Sequence, residues 1–449
     1  MRVEKDSLGE VRVPDGAFYG AQTQRAIENF PVSGRRMPRA FIAALAQVKG
    51  ACAEANAGPH RESIQEACER IAAGAFDDQF PVDVFQTGSG TSTNMNMNEV
   101  IANLCNPEAG TYAPVHPNDH VNQSQSSNDV IPTAAHVAAL AEIRGGLKAA
   151  LDRLASALQA KAKEFDALVK IGRTHLMDAV PVRLGQEFGG YAAQVRKAWE
   201  HVDATSKGLE ELAIGGTATG TGLNAPRGFG CKVADLLARR LGLPFREARN
   251  HFEAQGARDD LVRVSGALRA LAVALAKIAN DVRLMGSGPF GGLAELRIPD
   301  LQPGSSIMPG KVNPVMCEMV VQVAAQVVGN DAAVATAGAG GHFELNAMIP
   351  VMAANLLDSI ALLTNAARLF AERCVDGLRA NPAALAVPLE KSPIAATVLG
   401  PVLGYDKASD LVKDALAQNR SVKALAVERG LLSQADADRL FNFREMTGQ

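Results

Sequence analysis

The sequence predicts an all-α protein built around a central bundle of five long helices. Three observations carry this. Apolar side chains recur at steps of three and four in five successive stretches, these stretches are long, and small side chains dominate, with aromatics only 5% of the 449 residues. The first stretch, within 133–160, aligns Val137, Leu140, Ile143, Leu147, Leu151, Leu154 and Leu158. The second, within 184–212, aligns Leu184, Phe188, Tyr191, Val195, Trp199, Val202, Leu209 and Leu212. The third runs from Leu261 through Leu268 and Leu275 to Met285, and the fifth, about 346–374, through Ile349, Leu356, Leu363 and Phe370. Helices of about 25–30 residues reach roughly 40–45 Å. The fourth, 314–336, is apolar on most sides (Val315, Met316, Met319 to Val321, Val323, Val327, Val328), so cover is expected on every side, deep in the bundle or between subunits. Alanine favours these helices and lets them approach closely.

The flanks differ. Residues 38–57 and 61–75 read as shorter helices, and 86–128 as a polar, Gly- and Asn-rich part. Residues 375–449 read as short helices broken at Pro382, Pro388, Pro393 and Pro401.

Charge and cysteine usage exclude several classes. Lys plus Arg is 45 and Asp plus Glu 48, a formal charge of −3, so no basic excess drives nucleic-acid binding. The opening Met1-Arg-Val-Glu-Lys-Asp is too charged for a signal-peptide core, and no uninterrupted run of 18 apolar residues argues for a membrane span. The six cysteines form no C-x-x-C pair, which argues against structural zinc and a disulfide framework. A reducing, cytoplasmic setting is the expectation, without nucleic-acid or membrane partners.

Four stretches carry polar residues that helical spacing does not require: Gln86-Thr-Gly-Ser-Gly-Thr91 with its continuation to Asn98, His116 to Asp129, Gly172-Arg-Thr-His-Leu-Met-Asp178, and Gly304-Ser-Ser-Ile-Met-Pro-Gly-Lys-Val-Asn-Pro314. Singly, each has a plain structural reading. Ser126 to Asp129 ahead of Pro132 looks like a helix cap, Asn313-Pro314 a cap with proline in the first turn, and Thr174-His175 a loop ending. Together they supply hydroxyls, amides and helix N-termini suited to carboxylates, with Lys311 as a compact cation and His175 as a group able to exchange protons near neutrality. Such a set implies proton transfer on a small anionic substrate without metal or organic cofactor. Gly304 to Lys311 is not a phosphate-binding loop: five residues separate the glycines, and Val312 follows the lysine. Gly88-Ser-Gly90 and Gly220-Thr-Gly222 lack the third glycine of a dinucleotide fingerprint.

The segment Gly304 to Pro314 resembles the signature of the fumarase/aspartase superfamily. The other three segments resemble its remaining blocks in order and spacing, and the likeness extends from Gly9-Glu-Val-Arg-Val-Pro14 and Gly20 to Arg25 as far as Gly404-Tyr405. Thr174-His175 is similar to the class II fumarase form, where aspartases usually carry Gln, whereas Arg25 to Phe30 is at home in either branch. The resemblance implies three domains, 1–128, 129–374 and 375–449, with a catalytic loop over 286–314. It also implies a homotetramer whose active sites draw on three subunits. The implied reaction is hydration of fumarate to (S)-malate, with an aspartate ammonia-lyase or a lyase for a substituted fumarate as alternatives.

By the same resemblance Ser305 is the base, acting as an oxyanion, and His175 handles the water proton, tuned by Glu318. Substrate is held by Ser89, Gly90, Thr91, Ser126, Ser127, Asn128, Thr174, Ser306, Lys311, Val312 and Asn313. His116, Pro117, Asn118 and Asp119 resemble a secondary anion site, although a plain turn is an equal reading. Two departures stand near it: His120 where fumarases usually have Asp, and Gln123 where Lys is common. Glu318 sits in an apolar helix and is expected to have a partner.

Overall fold

The computed structural model describes residues 1–448. Helices dominate, as expected. The long ones are Ser127–Glu142 continuing into Lys148–Glu164, then Leu184–Ser206, Asp259–Met285, Val315–Gly338 and Ile349–Arg373. The apolar stripes read from sequence are the buried ones: Leu140, Leu151 and Leu158, Leu184 and Phe188, Leu268 and Ile278, Met352 and Ile360 are all shielded from solvent. By length and composition the stretch Ile349–Gly377 could cross a membrane, but 67% of its most apolar window is buried within the chain, as in a core helix.

Cα packing divides the chain into two compact units. One comprises 1–149, 198–272 and 323–364; the other comprises 150–197, 273–322 and 365–449. The first carries the hairpin Arg2–Asp6/Gly9–Val13 and the helices Arg39–Asn56, Arg61–Ala72 and Thr91–Cys105. The second carries the hairpin Val169–Thr174/Met177–Arg183, the two-residue ladder of Leu296–Arg297 with Arg379–Ala380, and a small separate core around Leu399, Leu411, Leu425 and Phe441.

Several expectations require correction. The first long helix is not uniform: Ile143–Leu147 forms a π turn between its two α-helical parts. Gly145-Gly146 falls in that turn, and paired glycines weaken α-helical bonding most, so the ladder shifts there. Pro388 does not break a helix. It lies inside Pro382–Lys391, while Pro393 and Pro401 stand in first turns.

The helix Val315–Gly338 is not covered all round within the chain. It buries Cys317, Val320, Ala324, Val327, Val334 and Ala337, but Ala325, Val328, Ala332 and Ala335, and Ala339 just past its end, are exposed. With half-exposed Val321 these continue a 4-3-4-3-4 spacing, the seam along which helices pack on one another.

Candidate active site

In the first unit, Gly88 to Thr91 form a tight entry to the helix Thr91–Cys105. A Cβ at Gly88 would overlap the carbonyl oxygen of Ala347, and Ile349 N donates to Gly88 O (3.0 Å), so only glycine allows this approach. Gly90 caps the helix at φ +77°. The Ser89 and Thr91 hydroxyls lie 2.9 Å apart. Gln86 acts as a clamp: its Oε1 accepts from Thr93 N (2.9 Å) and Thr93 Oγ1 (2.8 Å), while its Nε2 donates to Asp83 O (2.7 Å).

Ser126 caps the helix Ser127–Glu142 in a capping box with Asp129. Asn128 N donates to Ser126 Oγ (3.2 Å), and Ser126 N donates to Asp129 Oδ1 (2.9 Å). Asp129 is fully buried, and its Oδ2 also accepts from Gly215 N (3.1 Å) and Thr217 N (2.9 Å). Burial pushes its carboxyl up to about 6, against the pull of those N–H groups. Asp129 therefore ties the segment carrying Ser126, Ser127 and Asn128 to the glycine-rich run 215–224. Asn128 strengthens the tie, donating from Nδ2 to Ala218 O (2.8 Å), and Asn94 Nδ2 donates to Ser127 Oγ (3.2 Å). Sequence reading missed Asp129 and Gln86 as positioning residues. The Ser-x-x-acid spacing of Ser126 and Asp129 was the available signal for one; nothing local signals the other.

In the second unit, Thr174 ends a strand and His175 is not a loop ending. His175 and Leu176 form the two-residue tip of the hairpin, with φ of +55° and +61°. Two non-glycine residues in left-handed conformation make a strained turn of the primed type. The tip stands in solvent, with Leu176 75% and Met177 70% exposed. Its base is fixed by a buried ionic cluster: Lys170 Nζ meets Glu295 (2.6 Å) and Glu187 (3.0 Å), and Arg173 meets Glu295 (2.5 Å). Glu295 lies in the 286–314 stretch ahead of Ser305, so one buried carboxylate ties the hairpin to that stretch.

That loop is internally tied. Gly304 N donates to Lys311 O (2.8 Å), and Asn313 Nδ2 donates to Gly304 O (2.8 Å). A Cβ at Gly304 would overlap Lys311 O. Asn313 therefore braces the loop through its amide, and the helix itself begins at Val315. Ser305 is half-buried, and its Oγ accepts from Ile307 N (3.3 Å) and Met308 N (3.1 Å). Two converging N–H dipoles favour the deprotonated hydroxyl. Ser306, Lys311 and Val312 are exposed.

Glu318 is half-exposed, and its carboxylate has no ion-pair or hydrogen-bond partner among the described residues of one chain. Nor does any hydrogen bond among the described residues of one chain join His175 to Ser305 or Glu318.

His116 caps the π turn Pro117–Val121, its Nδ1 accepting from Asn118 N (3.3 Å) and Asp119 N (3.2 Å). His120 Nδ1 accepts from His116 N (2.8 Å), and its ring packs edge-on against His60 at 4.8 Å. Burial, with neighbouring His60, pushes the His120 pKa down. Within the chain, these residues do the work of a turn. Gln123 is exposed, and its carbonyl accepts from Asn56 Nδ2 (2.9 Å).

A long-helix fold carrying a tied serine loop defines the class, and comparison with known proteins agrees. A model of the lyase family matches residues 9–329, and one of the fumarase C C-terminus matches 396–448. The chain is 56% identical to the class II fumarate hydratase of Mycobacterium tuberculosis (strain CDC 1551 / Oshkosh), over 98% of this chain and 94% of that protein. It is 50% identical to the class II fumarate hydratase of Thermosynechococcus vestitus, over 100% and 98%. The crystal structure of class II fumarase from Schistosoma mansoni superposes with a TM-score of 0.96 at 38% identity, covering 99% of each chain. The chain belongs to the class II fumarate hydratase family of lyases.

Proposed function

We propose that this chain catalyses the reversible hydration of fumarate to (S)-malate as a step of the tricarboxylic acid cycle. The single observation carrying the mechanism is the pair of backbone N–H groups on Ser305 Oγ. In the dehydration direction, the Ser305 alkoxide takes a proton from the carbon beside one carboxylate. That carboxylate becomes doubly negative, and the neighbouring C–O bond then breaks as His175 protonates the departing hydroxyl. Hydration runs the same steps backwards, with His175 accepting a proton from water and Ser305 delivering one to carbon. Lys311, Asn313 and Thr174, with Ser89, Thr91 and Ser126 to Asn128, hold the carboxylates. Glu318 tunes His175. Ser306 and Val312 line the same loop. Hydroxyls, amides, one lysine and one histidine supply the proton transfers and charge stabilisation, so the reading includes no metal or cofactor.

The working form is a homotetramer with each site drawn from three subunits. The exposed Val321-Ala325-Val328-Ala332-Ala335-Ala339 seam and the projecting His175 hairpin support this, since each lacks cover within one chain. The domain division at 128/129 and 374/375 belongs to this reading. A cytoplasmic location fits six cysteines that are all free thiols. A tested solution of the purified protein should raise the ultraviolet absorbance of fumarate when given (S)-malate and not when given aspartate; turnover of aspartate alone would replace the reading with an ammonia-lyase.

A further inference from the structure

A cavity of about 1020 Å³ in the second unit lies against the catalytic loop. Its wall includes the stretch Pro309 to Pro314 and the ladder joining Leu296–Arg297 to Arg379–Ala380. In that antiparallel ladder Arg297 and Arg379 are direct cross-strand partners. Their side chains therefore leave the same face with Cα atoms roughly 5 Å apart. Like charges directly opposite each other are unfavourable unless something negative lies between them. Among the described residues neither arginine has an ion-pair partner, and Glu295, the buried acid two residues before Arg297, is already bound by Lys170 and Arg173. Both arginines and Lys311 face the cavity; Asp300 is the one acid among its lining residues. Three exposed cations against one carboxylate, two of them paired by strand register, make a concave site of net positive charge.

We propose that Arg297 and Arg379 bind a small polyanion of the diphosphate class in this cavity. Each guanidinium offers a planar fork to an anionic oxygen pair, and two forks side by side match two linked anionic groups. Lys311 lies on the same wall. An occupant drawn toward it competes for the cation that the fumarate reading assigns to substrate. Only this inhibitory consequence rests on that reading; binding by the arginine pair does not.

The probe is inorganic pyrophosphate, titrated calorimetrically into the oligomeric enzyme at fixed ionic strength, with citrate in a parallel series. Wild-type protein should bind pyrophosphate, and the double variant R297Q/R379Q should lose at least ten-fold in affinity while its kcat for malate stays unchanged. The double variant R297K/R379K, which keeps the charges but not the forks, should fall between the two. Tighter binding of citrate than of pyrophosphate, with the same dependence on both arginines, overturns the diphosphate assignment. Absence of binding by wild-type protein, or affinity unaltered in R297Q/R379Q, overturns the proposal. Arginine-dependent binding by a protein that does not turn over malate would instead overturn the fumarate reading and leave the site standing.

Discussion

Gly304→Ala isolates the loop geometry from its chemistry. A methyl group at this position overlaps Lys311 O, so the Gly304 N to Lys311 O bond cannot persist, and the Asn313 Nδ2 bond to Gly304 O is displaced with it. Each such bond is worth about 1 kcal/mol net, so the tied loop loses about 2 kcal/mol relative to open forms. At about 1.4 kcal/mol per decade that is roughly a 30-fold fall in the population holding Ser305, Lys311 and Asn313 in register. The loop is largely exposed, so global stability should barely change. The assay is kcat/KM for malate beside a thermal melt: a fall of about 30-fold with nearly unchanged Tm is expected from these bond energies. Activity within two-fold of wild type in a folded protein would refute the view that loop closure positions the base.

Other outcomes follow from the same geometry. His175→Asn should cut kcat by about 10²–10⁴ and remove one limb of the pH–rate profile, because Asn tolerates the left-handed turn and only the imidazole is lost; an unaltered profile would exclude His175 as the acid–base group. His136 is fully buried, and burial, with the Arg258 charge adding, drives its pKa down to about 3. Its neutral form contributes stability that is present above pH 6.5 and lost as pH falls toward 3, about 2 kcal/mol of it between pH 7 and 5. Denaturant midpoints should show a shallower loss over that window in His136→Gln than in wild type; equal slopes would contradict this. Val328→Glu, at a side chain 42% exposed within the chain, should leave helical circular dichroism intact and lower the oligomeric mass by sedimentation. An unchanged mass would remove the Val321 to Ala339 seam from the interface.

The helices were readable because their periodicity is a property of each segment alone. Leu140, Phe188, Leu268 and Ile360 announce their burial through spacing, and Ser126 announces its cap through the residues after it. What was unreadable depends on partners distant in sequence. Glu295 anchors the His175 hairpin only because Lys170 and Arg173 reach it across more than a hundred residues of chain. The hairpin itself escaped because His175-Leu176 lacks the Asn-Gly chemistry that marks a primed turn. Pro388 misled because, although it is the seventh residue of the ten-residue helix Pro382–Lys391, the helix tolerates it there at the cost of a backbone bond. The partner expected for Glu318 is likewise not found within one chain, where this face of the helix is half-exposed.

The decisive measurement is the turnover number of Ser305→Ala with malate, taken on protein whose oligomeric mass matches wild type. In the proposed mechanism the Ile307 and Met308 N–H groups act only through the oxygen at position 305, so kcat should fall by about 10²–10⁴, the range a positioned base supplies. A kcat close to wild type would contradict serine-oxyanion catalysis in this protein.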